Sequence, residues 1–207
     1  MTKAKILAEE TLAQGRFKLA VATVETTEAD GAKRVLCHEV YHYKHAAALL
    51  LYDAQRRVVM LVRQFRVGGY LGGAAQPMIE VCAGMLDGDA PEACVLREAF
   101  EETGIAVSAA RHVFDIYTSP GGTTEKIACF IAPYDESDKK SAGGGVDADE
   151  HITLLEPSLD EAIAMIERNE ICDAKTIALL YYAKAEGLLS GIPSSPRSGE
   201  KVARNAG

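Results

Sequence analysis

Three carboxylates, Glu98, Glu101 and Glu102, crowd one short stretch of PEACVLREAFEETGI. Glu98 and Glu102 are four residues apart and Glu98 and Glu101 three. At roughly 100° per residue a helix places all three on neighbouring parts of one face. They also fall in the last turn, where the helix dipole is negative and each acidic side chain is disfavoured by some tenths of a kcal/mol. Arg97 is the one local cation. A hard divalent cation such as Mg²⁺ would remove the repulsion, because it takes oxygen ligands and commonly combines one or two carboxylates with substrate phosphates. A solvated helix end with Arg97 paired to Glu101 explains the same spacing. Spacing alone leaves both readings open.

The elements around this stretch must position it. Residues 90–103 have helical periodicity; Asp89 is expected to cap the first turn, with Glu92 completing a capping box, Pro91 tolerated there, and Gly104 ending the helix. Short apolar runs at 46–52, 57–64 and 77–82 predict strands ahead of it, and 111–117 and 126–134 predict strands behind it, joined through the turn Ser119-Pro120-Gly121-Gly122. Residues 135–150 are polar and glycine-rich, ending in Asp147, Asp149 and Glu150, and predict a mobile loop. A short strand at 152–155 leads to Ser158, which with Glu161 suggests a second capping box and a helix to about residue 168; Asp173 caps another to about residue 186. Alternating stretches at 18–25 and 33–43, split by Ala29-Asp30-Gly31, predict an accessory hairpin or meander. The expected organisation is an N-terminal β region over 1–45, a main domain over 46–189 and a flexible Ser/Pro/Gly-rich tail over 190–207. There are no internal repeats. Mixed strands and helices without strict alternation indicate an α+β fold.

Composition narrows the function. A chain of 207 residues buries roughly 70% of its unfolded surface, enough for a core without disulfides or structural metal. Its formal charge of −8 and the absence of basic runs with interleaved aromatics argue against nucleic-acid binding. The longest apolar stretch, 46–52, is far below the roughly 20 residues of a membrane span, and the start MTKAKILAEETLAQG lacks a signal peptide's apolar core. The five cysteines are scattered without a C-x-x-C pair and are expected to be reduced. A cytoplasmic protein with no membrane association is the expectation. His38, His42 and His45 lie close together, but no carboxylate or cysteine completes a zinc set, and they are read as structural.

The stretch from Gly84 to Ile105 resembles a Nudix box, G-x5-E-x7-R-E-U-x-E-E-x-G-U with U a bulky apolar residue. Arg97-Glu98, Glu101-Glu102, Gly104 and Ile105 match it in place. Gly84 lies one residue too close to Arg97, the early Glu is Asp89, and Ala99 is smaller than the usual apolar residue. Within the family, IEVCAGMLD over 79–87, YTSPGG over 117–122 with Glu125, AGGGV over 142–146 and DAKT over 173–176 resemble the GDP-mannose pyrophosphatase branch, with ADP-ribose pyrophosphatases sharing much of the pattern. The resemblance implies an α/β/α sandwich with a mixed sheet, a homodimer exchanging N-terminal strands, and a Mg²⁺-dependent hydrolase, with Mn²⁺ as a substitute. The implied reaction takes GDP-mannose to GMP and mannose 1-phosphate. ADP-ribose hydrolysis to AMP and ribose 5-phosphate is the alternative, and a non-catalytic nucleotide-sugar sensor ranks lower because the carboxylates are intact.

Carried over by position, the resemblance implies that the Ala83 carbonyl, Glu98 and Glu102 hold the metal, with Glu101 a further ligand or a carboxylate just behind it. A base is also required, and Glu125 and Glu150 are the candidates, with Asp149 and Asp147 behind them. Arg63 and Arg66 flank an apolar strand, and either guanidinium suits a phosphate or a plain surface position. The resemblance favours Arg66, with Glu80 pairing to an arginine or contacting the sugar. Phe17 is a candidate to stack the base across the dimer, or else a core aromatic. Lys175, unusual at a helix start for a cation, is a candidate to reach substrate.

Overall fold

The computed structural model describes residues 2–74, 76–145 and 151–189. Two sheets organise the chain. β1 (Lys3–Gln14), β2 (Lys18–Thr27) and β3 (Lys33–His42) form an antiparallel three-stranded sheet in the order β1-β2-β3. The β2–β3 turn is closed by Glu28 N donating to Ala32 O at 2.8 Å, with Gly31 at φ 87°. The strand β1 is a departure from the sequence expectation. Its residues are exposed along their whole length, so no buried face imposes an alternating pattern, and backbone pairing to β2 alone defines it.

The larger sheet contains β4 (Ala46–Asp53), β5 (Val58–Gln64), β6 (Met78–Glu80), β7 (Cys82–Met85), β8 (Arg111–Tyr117), β9 (Lys126–Pro133) and β10 (Thr153–Leu155). Its main path runs β10-β5-β4-β9-β8; β4 and β9 are parallel and the other pairs antiparallel. β4 and β5 pair only at Leu51–Asp53 with Val58–Met60, and then part. The segment carrying β6 and β7 enters the gap, with β6 on β5 (Val62↔Glu80) and β7 on β4 (Ala48↔Ala83). This splay delivers Cys82, Ala83 and Gly84 to the middle of the sheet.

Helices cover both faces. α2 (Pro91–Thr103) packs Cys94, Val95 and Ala99 on Ala47, Leu49, Leu51, Met60 and Val62. α3 (Leu159–Glu167) and α4 (Ala174–Ala185) cover the opposite side chains, Ala46, Ala48, Leu50, Val59 and Leu61. Residues 46–51 of β4 are thus all apolar because both faces of the strand are buried there. The result is an α+β fold with helices on both faces of a mixed sheet. A short helix, α1 (Val67–Leu71), was not foreseen; it lies exposed between β5 and β6.

Three capping details correct the sequence reading. The N-cap of α2 is Ala90, not Asp89, because Pro91 occupies the first helical position. Asp89 lies 3.8 Å from Arg97, and the Glu92 carboxylate accepts from Ala110 N at 3.2 Å instead of closing a capping box. Ser158 does accept from Glu161 N at 3.1 Å, but the Glu161 carboxylate turns to Arg168 at 2.7 Å. Asp173 caps α4 as expected, accepting from Thr176 N at 3.0 Å. The predicted tail at 190–207 lies outside the described residues.

Candidate active site

β7 and α2 meet at Gly84. A Cβ added there would lie 2.5 Å from Glu98 Cγ, and nearer still to its carboxyl group, so only a glycine lets the strand backbone lie against this carboxylate. That approach sets the Ala83–Gly84 backbone beside Glu98. One helical turn on, Glu102 is only 3% exposed and neighbours Cys82, whose thiol is pushed well up by burial and then by the Glu102 and Glu98 charges. Arg97 lies 3.0 Å from Glu98 Oε1 and 2.8 Å from Glu101 Oε2. The Arg97–Glu101 pair anticipated as the bland explanation therefore exists, and the same guanidinium also touches Glu98.

Among the described residues no three Asp, Glu, His or Cys side chains converge into a closed ligand set. Glu101 is drawn toward Arg97, while the strand backbone and Glu98 are in contact and Glu102 is buried beside them. The donor types on offer, a peptide carbonyl and carboxylates, are the hard oxygens a divalent cation takes, and the glycine cradle keeps the carbonyl strand within reach of Glu98. The donor types at Ala83, Glu98 and Glu102 fit such a cation.

The end of α2 is finished by a distant loop. Gly104 has φ 73°, and its N–H donates to Phe100 O at 2.9 Å. Residues 136–138 form a single 3-10 turn, and the chain then returns to the helix. Gly144 N donates to Glu102 O at 2.8 Å and Gly145 N to Glu101 O at 3.2 Å. Gly143, Gly144 and Gly145 all have positive φ, and a Cβ on Gly143 would lie 2.5 Å from Glu102 O. The stretch expected to be wholly mobile is therefore docked up to residue 145. Its amides satisfy helix-end carbonyls at the very turn where the carboxylates crowd. Asp147, Asp149 and Glu150 lie outside the described residues.

A second cluster stands beside the first. Glu80, 4% exposed, accepts from Arg66 Nε at 2.6 Å with one oxygen and from Lys175 Nζ at 2.6 Å with the other. Lys175 also lies 2.9 Å from Asp173 Oδ1. Burial would push the Lys175 ammonium pKa down, but the charges of Glu80 and Asp173 more than offset it and leave it raised. Arg66 feels Glu80 and then Glu102, which places the two clusters within electrostatic reach.

Three further candidates have partners of their own. Arg63 is exposed, and strand alternation puts it on the side of Val59 and Leu61, away from α2; it acts on Glu170. Phe17 is buried against Tyr43 at 4.3 Å and Tyr41 at 5.9 Å, with Arg16 over its ring at 5.6 Å. Glu125 accepts from Thr118 Oγ1 at 2.8 Å next to the Ser119–Gly122 turn, which joins the accessory sheet through Tyr41 N to Gly122 O. His42 lies 3.4 Å from Glu9, and His45 Nδ1 accepts from Lys126 N at 3.3 Å, so both have structural partners. The sequence reading missed Asp173 as a partner of Lys175; its position two residues before a helix-start lysine was the available signal.

A splayed mixed sheet between helices, with an R-E-x-x-E-E helix against a glycine strand, defines a Nudix hydrolase. The NUDIX domain model matches residues 42–180, and the chain belongs to that family as a pyrophosphohydrolase. Among its relatives are GDP-mannose pyrophosphatases of Cronobacter sakazakii, 42% identical over 89% of this chain and 97% of that protein, and of Klebsiella pneumoniae, 43% identical over 90% and 94%. A crystal structure of an ADP compounds hydrolase superposes with a TM-score of 0.69 at 19% identity, covering 91% of this chain and 96% of that one, and shares the fold.

Proposed function

We propose that this chain hydrolyses the pyrophosphate bond of GDP-mannose, giving GMP and mannose 1-phosphate, with Mg²⁺ held by the Ala83 carbonyl, Glu98 and Glu102. The carrying observation is the contact of the Ala83–Gly84 strand with Glu98, set beside the cations Arg66 and Lys175. Anionic oxygens for a metal and fixed donors for phosphate are what a diphosphate ester needs on its two sides. The preference for GDP-mannose is supported by 42–43% identity to the pyrophosphatases named above over about nine-tenths of the chain.

In this account Arg66 and Lys175 donate hydrogen bonds to phosphate oxygens and fix the diphosphate against α2. Mg²⁺, when bound by these groups, would supply charge neutralisation and lower the pKa of a water. Glu101, paired with Arg97, holds the outer side of the carboxylate group. Glu150 is the proposed proton acceptor for the attacking water. Glu125 is the competing base, tested by the same assay on Glu125→Gln.

The exposed apolar side chains of the accessory sheet, Ile6 at 68% and Val35 at 61%, support a homodimer in which a second copy covers that sheet, while Phe17, packed against Tyr43 and Arg16, fits the core alternative better than base stacking. No helix among the described residues is long and apolar enough to cross a membrane, and the five free cysteines support a reducing cytoplasm. The test is phosphate release after phosphatase treatment, from GDP-mannose and ADP-ribose, with and without Mg²⁺. Mg²⁺-dependent release from GDP-mannose is expected to dominate; equal or greater release from ADP-ribose would reassign the substrate, and none from either would remove the enzymatic reading.

A further inference from the structure

Lys175 is a cation in the first turn of α4, at the positive end of the helix dipole, and it is 7% exposed. Both conditions oppose a charged ammonium. Two carboxylates on different elements hold it there, Asp173 at the N-cap and Glu80 at the end of β6, 95 residues away along the chain. Glu80 gives its other oxygen to Arg66, so one carboxylate joins both cations. Burying the Glu80–Lys175 ion pair is worth little for stability compared with apolar packing, so stability does not account for the arrangement.

The donor geometry does account for it. An ammonium has three N–H bonds, and Glu80 and Asp173 take two, leaving one. A guanidinium has five, and Glu80 takes the Nε–H, leaving four on the terminal nitrogens. The two nitrogens bound to Glu80 can be no further apart than two hydrogen bonds and the width of one carboxylate. The same segment is locked at its backbone: Val81 N donates to Thr176 Oγ1 at 2.9 Å, and that hydroxyl bonds Asp173 at 2.6 Å. Three residues after Glu80 comes Ala83, on the strand that touches Glu98.

We infer that Glu80 is a positioning residue: it does not touch substrate but sets the spacing and direction of Arg66 and Lys175, so that their remaining donors meet the diphosphate. This rests on the proposed function for the identity of the diphosphate ligand. Asp173 is its auxiliary, holding Lys175 from the helix side. The assignment takes up the arginine-pairing alternative for Glu80 in place of sugar contact.

The test uses the full chain in two assays, steady-state GDP-mannose hydrolysis with Mg²⁺ and calorimetric titration with GDP. Glu80→Gln is expected to raise KM about tenfold or more and to weaken GDP binding by a similar factor, with kcat within about threefold. Glu80→Asp is expected to recover part of the affinity. In a Lys175→Gln background the Glu80→Gln change should cost less than half as much on a logarithmic scale, because one of the groups it positions is gone; this double variant also carries no unpaired buried ammonium and serves if the single variant does not fold. Unchanged KM and GDP affinity, or the same fold-loss in both backgrounds, would overturn the inference, the latter by showing direct substrate contact. GDP binding that depends on Glu80 without GDP-mannose hydrolysis would refute the proposed function and leave the positioning role standing. Failure of the wild-type chain to bind GDP would refute both.

Discussion

Replacing Gly84 by Ala isolates the contact on which the metal assignment depends. The backbone at Gly84 is ordinary strand, without the positive φ seen at Gly104, so the substitution causes no backbone strain of its own. The new methyl group would lie 2.5 Å from Glu98 Cγ, whereas carbon atoms in contact sit about 3.5 Å apart, so the Glu98 side chain must move by about 1 Å or change rotamer. An off-rotamer side chain costs about 0.5–1.5 kcal/mol, and replacing glycine recovers about 0.4–1 kcal/mol through the unfolded state. Stability should therefore change by less than about 1 kcal/mol, within a few degrees of Tm. Catalysis should suffer far more, because a 1 Å misplacement of an active-site group costs about 100-fold, or about 2.7 kcal/mol of transition-state stabilisation. The assay is GDP-mannose turnover as a function of Mg²⁺ concentration, with thermal melting in parallel. A folded Gly84→Ala enzyme with wild-type kcat/KM and an unchanged Mg²⁺ half-saturation would refute the reasoning, because Glu98 would then have no business with the cation at that strand.

Other expectations follow from the same structure. Gly143→Ala would drive a Cβ to 2.5 Å from the Glu102 carbonyl at φ 63°, and should detach the 143–145 segment, lowering kcat at least tenfold and raising proteolytic cleavage between 140 and 150; limited proteolysis checks this. Glu156, whose carboxyl is held down at about 2 despite burial by bonds from Arg56, Tyr134 and Lys139, should contribute stability that is complete above about pH 4.5 and lost as pH falls toward 2. Glu156→Gln should therefore cost about 1–3 kcal/mol at pH 7, and the gap to wild type should close across that window in urea titrations. Arg63→Ala, on the far side of the sheet from α2, should leave KM for GDP-mannose within about twofold, whereas Arg66→Ala should raise it tenfold or more.

Much of this was readable in the sequence wherever local chemistry decides structure. The apolar run at 46–52, the Pro91-to-Gly104 helix and the Asp173 cap all carry their own signals, and each is where it was expected. The N-cap of α2 was legible too, had the preference of proline for the first helical position been applied strictly. β1 was not: it buries no face, so neither a period of two nor a hydrophobic run marks it. The site is legible to a similar degree. Sequence spacing puts Glu98 and Glu102 together because a helix does so unaided. It cannot show that Glu80 meets Lys175, since that contact depends on β4 and β5 parting to admit the 78–85 segment. Residue chemistry alone leaves Arg63 and Arg66 equivalent, and the contact of Arg66 with Glu80 separates them in the fold.

The proposed grip of α2 and the β7 strand on a divalent cation is open to electron paramagnetic resonance titration of free Mn²⁺ with the wild-type chain and with Glu98→Gln/Glu102→Gln, each in the presence of GDP. Saturable depletion of the free-ion signal beyond that caused by GDP alone is expected in the wild type, weakened at least tenfold in the folded double variant. Equal depletion by both proteins would place the cation somewhere other than these carboxylates.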